Sequence, residues 1–174
     1  MKKIVFYFHG YNSKPNTEKT QRLMEVFPDT FAYPIDIDPE ISIIKISNQI
    51  FSELLNHIND EEAKIVFVGT SLGAWYAAKA AVAYGVKDCI LINPCYDPQN
   101  MLRSYDVPEE ILVKYHPLEF RPEHKFFIAK DDEVINFNPV LDKLVNMNVT
   151  WTDGGLHRYN GPEFEGVIDY IKKL

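Results

Sequence analysis

Ser71 sits in Gly69-Thr70-Ser71-Leu72-Gly73, between an apolar, β-branched run ending at Val68 and an alanine-rich stretch that continues to Tyr84. That pattern predicts a buried strand, a tight turn and a helix, with the serine at the apex. A sharp strand-to-helix turn leaves no room for side chains two residues either side of its centre, which accounts for both glycines. The hydroxyl then stands at the positive end of the following helix, where developing negative charge is stabilised. This is a site for nucleophilic attack. The alternative is a serine that merely caps its helix, and the presence of partners decides between the two.

A serine hydroxyl needs a base within hydrogen-bond reach and an acid to hold that base. Five histidines compete. His9 ends the first strand, His57 lies on a helix, and His116 and His124 flank an irregular region. His157 follows the last strand in Asp153-Gly154-Gly155-Leu156-His157, a glycine-rich loop able to swing over Ser71, and it is the expected base. The acid is expected after the fifth strand, where Asp131, Asp132 and Glu133 are adjacent. Asp132 is preferred, because Asp132-Glu133-Val134-Ile135 offers an acid followed by a hydrophobic step that packs the loop. Asp131 is the next choice and Glu133 the third. An oxyanion hole requires two backbone N–H groups. Leu72, immediately after the serine, and Tyr11, after Gly10 in the first strand-end loop, are the candidates, with His9 placed to orient that loop.

The elements that must bring these residues together follow in order along the chain. Strands are expected at Lys3–Phe8, Phe31–Tyr33, Lys64–Val68, Asp88–Ile92, Lys125–Ala129 and Asn148–Trp151. Helices are expected from Thr17 to Phe27, from Pro39 behind an Asp38 cap, from Leu72 to Tyr84 with Gly85 closing it, and from Pro162. A further helix is expected behind an Asn138 cap, with Leu141, Leu144 and Val145 facing inward. In the helix after Pro39, Ile41, Ile44, Phe51, Leu54, Leu55 and Ile58 form the expected inward stripe. Between Cys95 and Glu123 the pattern loosens around four prolines, with two short helices expected near Gln99–Arg103 and Glu109–Lys114. A small cap over a cleft is the natural reading of 95–123, a meandering surface connection the alternative.

Alternating strands and helices predict an α/β protein: a mostly parallel sheet of about six strands with helices on both faces, in one domain spanning 1–174. Right-handed crossovers place His9-Gly10-Tyr11, Ser71, Asn93, Asp132 and His157 at the carboxyl edge of that sheet. The chain order serine, acid, histidine is that of the minimal α/β-hydrolase fold.

Composition excludes several other classes. The 174 residues carry a net charge of −7 and contain 46% hydrophobic residues, enough for one core. No basic run suits a nucleic acid, and no apolar run suits a membrane span or a signal peptide, so a cytoplasmic location is expected. Cys89 reads as a core residue and Cys95 as a loop residue open to solvent. Neither they nor the histidines show metal-site spacing, and no cofactor or metal is expected.

Taken together, Phe8-His9-Gly10-Tyr11-Asn12-Ser13 with Pro15, then Gly69-Thr70-Ser71-Leu72-Gly73, Ile92-Asn93-Pro94, Asp132-Glu133-Val134 and Gly154-Gly155-Leu156-His157, resemble the small bacterial YqiA/YcfP-like esterases. The resemblance spans nearly the whole chain. Tyr11 stands where phenylalanine is common, and Asp131 where a small or neutral residue is common. It implies a six-stranded fold without a large lid and hydrolysis of carboxylic esters by Ser71, Asp132 and His157. The expected partner is a small-molecule ester of a small to medium acyl group, with thioesters left open. The rival expectation is a hydrolase-like scaffold that binds a small molecule or protein without turnover. Oligomeric state is not legible.

Overall fold

Lys2–Phe8 (β1) is apolar on both faces, and the computed structural model, which describes residues 1–57 and 63–174, places it inside the sheet. Glu18–Val26 (α1) follows, then Thr30–Tyr33 (β2), Pro39–Asn56 (α2), Ala63–Thr70 (β3), Leu72–Tyr84 (α3) and Asp88–Ile92 (β4). Pro98–Arg103 (α4) and Glu109–Leu112 (α5) precede Lys125–Ala129 (β5). A 3-10 turn at Asn138–Val140 runs into Leu141–Leu144 (α6), then Asn148–Thr152 (β6) and Pro162–Lys173 (α7). The six strands are all parallel, in the order β2-β1-β3-β4-β5-β6.

Alternate residues of each strand feed two cores, as the pleat requires. Val5, Tyr7, Val66, Val68, Ile90 and Ile92 pack with Leu23 of α1 and Phe164, Val167, Ile168 and Ile171 of α7. Ile4, Phe6, Phe8, Phe67 and Leu91 face the opposite way, onto α2, α3 and the 95–123 segment. That segment is stitched into the second core. Val107, Leu112, Tyr115 and Leu118 are buried, Trp75 Nε1 donates to the His116 carbonyl at 2.7 Å, and Tyr115 OH donates to the Ile37 carbonyl at 2.8 Å.

Three expectations need correction. In α2 the buried residues are Pro39, Ser42, Ile46 and Ile50, whereas Ile41, Ile44, Phe51 and Leu55 are exposed and Leu54 is half-buried; Ile58 lies outside the described residues. The reason is Ser42, whose hydroxyl accepts from the Asp36 amide at 2.6 Å and donates to the Asp36 carbonyl at 2.9 Å, so that a polar residue turns inward. In α6 only Leu144 is buried, while Leu141 and Val145 face solvent, because the segment enters as a 3-10 turn that rotates the register; Asn138 lies inside that turn and does not cap it. Cys95 is 2% exposed, and its thiol pKa is pushed up by burial. Its amide donates to the Ser71 carbonyl at 3.0 Å, which draws it under the turn.

Candidate active site

The turn after β3 is as tight as its glycines imply. A Cβ on Gly73 would overlap the carbonyls of Phe8 and His9, and one on Gly69 would overlap the backbone of Gly73 and Ala74. Ser71 adopts φ 55°, ψ −121°, a conformation that costs a non-glycine residue on the order of 1–3 kcal/mol. Three hydrogen bonds hold it there. Its amide donates to the Ile92 carbonyl at 2.9 Å, and its own carbonyl accepts from Ala74 and Cys95, each at 3.0 Å. The hydroxyl makes no capping bond to α3 and is free for another partner.

That partner is His157. Nε2 of its ring lies 2.9 Å from Ser71 Oγ, and Nδ1 lies 2.9 and 3.1 Å from the two carboxylate oxygens of Asp132. With a carboxylate facing Nδ1, the proton resides on Nδ1 and Nε2 accepts from the serine. The side chain of Asp132 is 1% exposed and that of His157 18%. Asp132 Oδ1 also accepts from the amides of Val134 and Ile135 at 2.8 Å, satisfying a buried charge and fixing its rotamer. The adjacent acids have separate tasks: Asp131 accepts from the Leu156 amide at 3.1 Å, and Glu133 from the His157 amide at 2.8 Å. All three carboxylates hold the histidine loop, and only Asp132 reaches the ring.

Asn93 is expected at the carboxyl edge of the sheet, but no spacing signature assigns it a role there. It is fully buried in a left-handed conformation (φ 40°) at the end of β4. Its Nδ2 donates to the carbonyls of Leu156 at 2.9 Å and His157 at 3.2 Å, and its Oδ1 accepts from the Ala129 amide at 2.8 Å. The loop expected to swing over Ser71 is therefore tied down by Asn93, Asp131 and Glu133. The legible hint was an Asn-Pro pair directly after an apolar strand.

The first strand-end loop meets the elbow from the other side. A Cβ on Gly10 would stand 3.2 Å from Ser71 Cβ and 3.8 Å from its Oγ. His9 is 3% exposed; its Nδ1–H donates to the Gly10 carbonyl at 2.8 Å, and Nε2 accepts from the Ile35 amide at 3.2 Å. Burial lowers its pKa, consistent with a neutral ring making both bonds. The amides of Tyr11 and Leu72 donate to no group among the described residues. His57 ends α2, His116 contributes its carbonyl to Trp75, and His124 is buried away from this cluster with its pKa lowered by burial. Among the described residues no group of three His, Cys, Asp or Glu side chains could hold a metal ion, and no helix is long and apolar enough to cross a membrane.

Two hollows open beside the elbow. One, of about 420 Å³, is lined by Ser71, His157, Tyr7, Thr70, Lys19 and Arg158. The other, of about 370 Å³, lies beyond Tyr11 and is lined by Ile35, Ile37, Leu72, Tyr105 and Val107, with Asp36 and Asp106. Tyr7, whose hydroxyl meets Thr70 Oγ1 at 3.2 Å, is pushed to a pKa of about 12 by burial and stays neutral.

The parallel sheet, the strand–turn–helix at Ser71 and the helices on both faces define an α/β-hydrolase fold, and solved structures agree. The chain superposes on an esterase of Pyrococcus furiosus with a TM-score of 0.66 at 17% identity, covering 99% of this chain and 81% of that one. It superposes on ferulic acid-bound Est1E from Butyrivibrio proteoclasticus at 0.68 and 11% identity, covering 99% and 89%. For alpha/beta hydrolase domain-containing protein 10 from mouse the values are 0.65 and 16%, covering 97% and 88%. The chain belongs to the uncharacterised protein family UPF0227, whose model matches residues 4–174. A UPF0227 protein of Shewanella oneidensis is 27% identical over 181 residues, covering 97% of each chain.

Proposed function

We propose that this protein is a serine hydrolase that cleaves carboxylic esters through an acyl-enzyme. The observation that carries the reading is the continuous hydrogen-bonded path from Ser71 Oγ through the imidazole of His157 to the buried carboxylate of Asp132. Its order along the chain matches that of the fold.

In the proposed reaction Ser71 Oγ attacks the ester carbonyl while His157 Nε2 takes its proton. Asp132 stabilises the imidazolium that forms. The Leu72 and Tyr11 amides hold the oxyanion, helped by the uncapped start of α3. His157 then gives its proton to the departing alkoxide, which leaves as the alcohol. Water, deprotonated by His157, attacks the acyl-serine, and collapse of the second tetrahedral species returns the proton to Ser71. Thioesters would follow the same steps with a thiolate leaving group.

The test is turnover of p-nitrophenyl acetate and butyrate by purified protein and by Ser71→Ala. The variant is expected to lose all measurable turnover and fluorophosphonate labelling while keeping its circular dichroism spectrum. Undiminished hydrolysis by Ser71→Ala removes the reading. A native protein that neither turns over esters nor takes the label at Ser71 points instead to a binding scaffold.

A further inference from the structure

The hollow that opens on Ser71 is bounded by two cations with no acidic partner. Lys19, from the first turn of α1, reaches across to the segment after β6, where its Nζ donates to the Arg158 carbonyl and, at 2.9 Å, to Asn160 Oδ1. Both acceptors are uncharged. Arg158 follows His157 directly and is exposed; its guanidinium makes no hydrogen bond or ion pair among the described residues, and it lines the hollow.

The chain has 25 acidic residues against 18 basic ones, and Arg22, Lys64, Arg103, Lys114 and Arg121 all sit on carboxylates. Withdrawing an ammonium from water against neutral oxygens alone is unfavourable, and a second cation beside it adds repulsion. Burial and Arg158 together lower the Lys19 pKa to about 8. Lys125 is likewise withdrawn from water against a neutral oxygen, that of Asn148, but Lys19 and Arg158 are the cations that border the hollow at Ser71. Glu18 also borders the hollow, exposed in the first turn of α1; it forms no ion pair with either cation, but its charge opposes burial and Arg158 by favouring the charged form of Lys19. One carboxylate at the rim favours a ligand with a single negative charge over a dianion.

We propose that Lys19 and Arg158 form an anion subsite, so that the substrate is an ester carrying a free carboxylate on its acyl or its alcohol part. A guanidinium fork and an ammonium on one wall can hold a carboxylate by charge-assisted hydrogen bonds. The hollow of about 420 Å³ has room for a small acid tethered to the ester bond.

The proposal rests on the esterase reading, and the experiment separates the two. Hydrolysis of monoethyl adipate against ethyl hexanoate tests an acyl-side carboxylate. Hydrolysis of 4-acetoxybutanoate against pentyl acetate tests an alcohol-side one, all followed by pH-stat near pH 7. One charged member is expected to exceed its neutral partner about tenfold or more in kcat/KM, with the ratio collapsing towards one in Lys19→Met/Arg158→Met. Lys19→Arg is expected to restore most of the ratio, which a lysine needed only to tie down the loop would not explain. Equal rates within both pairs, or a ratio that survives the double substitution, overturns the subsite while leaving the esterase reading intact. If no ester is hydrolysed, that reading fails, and calorimetric binding of monoethyl adipate to Ser71→Ala decides the subsite. Binding that disappears on adding Lys19→Met/Arg158→Met supports it, and absence of binding overturns it.

Discussion

The two hollows on either side of Tyr11 are nearly equal in size and differ in the charge of their walls. The one beside His157 carries Lys19 and Arg158. The one beside the segment that joins α4 to α5 is walled by Ile35, Ile37, Leu72, Tyr105 and Val107, and its charged residues are Asp36 and Asp106. A carboxylate is attracted to the first and repelled by the second. Ser71 and Leu72 are neighbours in the elbow, and each lines one hollow. On the proposed mechanism an ester with one charged and one apolar arm would lie across the nucleophile in a single orientation.

The comparison breaks most sharply if the two sides do not share one centre. Asp132→Asn removes the charge that sets the His157 tautomer, and kcat is expected to fall by roughly 10³–10⁴-fold. Steady-state rates for charged and neutral esters should drop together; a fall confined to one group would mean separate sites. Next in size is Tyr105→Ala, which strips a ring that packs against Tyr11 with centroids 5.3 Å apart. Removing that apolar wall is expected to raise KM for longer neutral esters about three- to tenfold and for acetates hardly at all, measured over a chain-length series. The smallest effect is that of pH. Burial and Arg158 favour the neutral form of Lys19, so its charge is lost as pH rises through about 8, while Arg158 keeps its own. The charged-to-neutral rate ratio should decline by about two- to threefold between pH 7 and pH 9, and the decline should move to higher pH in Arg158→Met, where the second cation no longer lowers the Lys19 pKa.

The parts of the molecule legible in the sequence are those fixed by local chemistry. The elbow follows from two glycines and a serine between an apolar run and an alanine-rich one. β5 has the expected bounds, and Ile135, 3% exposed, packs the loop that Asp132 begins, as the hydrophobic step after that acid implies. α2 resisted for a physical reason. Apolar residues lie on more than one side of it, so periodicity alone does not say which stripe faces the sheet, and Ser42 is recruited inward by hydrogen bonds that no hydrophobic pattern encodes. Asn93 resisted because its partners come from β5 and from the loop after β6. Lys19 and Arg158 carry no signature in the sequence, since only the packing of α1 against the segment after β6 brings them together across 139 residues.

The ties on residues 156 and 157 bear on what each catalytic cycle would demand. Asn93, Asp131 and Glu133 engage the backbone on both its donor and acceptor sides, so the imidazole is aimed before any ligand arrives. The entropy of aligning it is settled once, during folding, and does not recur with every substrate molecule. A cleft assembled in this way needs no closing gesture around its ligand, and its selectivity would have to come from the shape and charge of fixed walls.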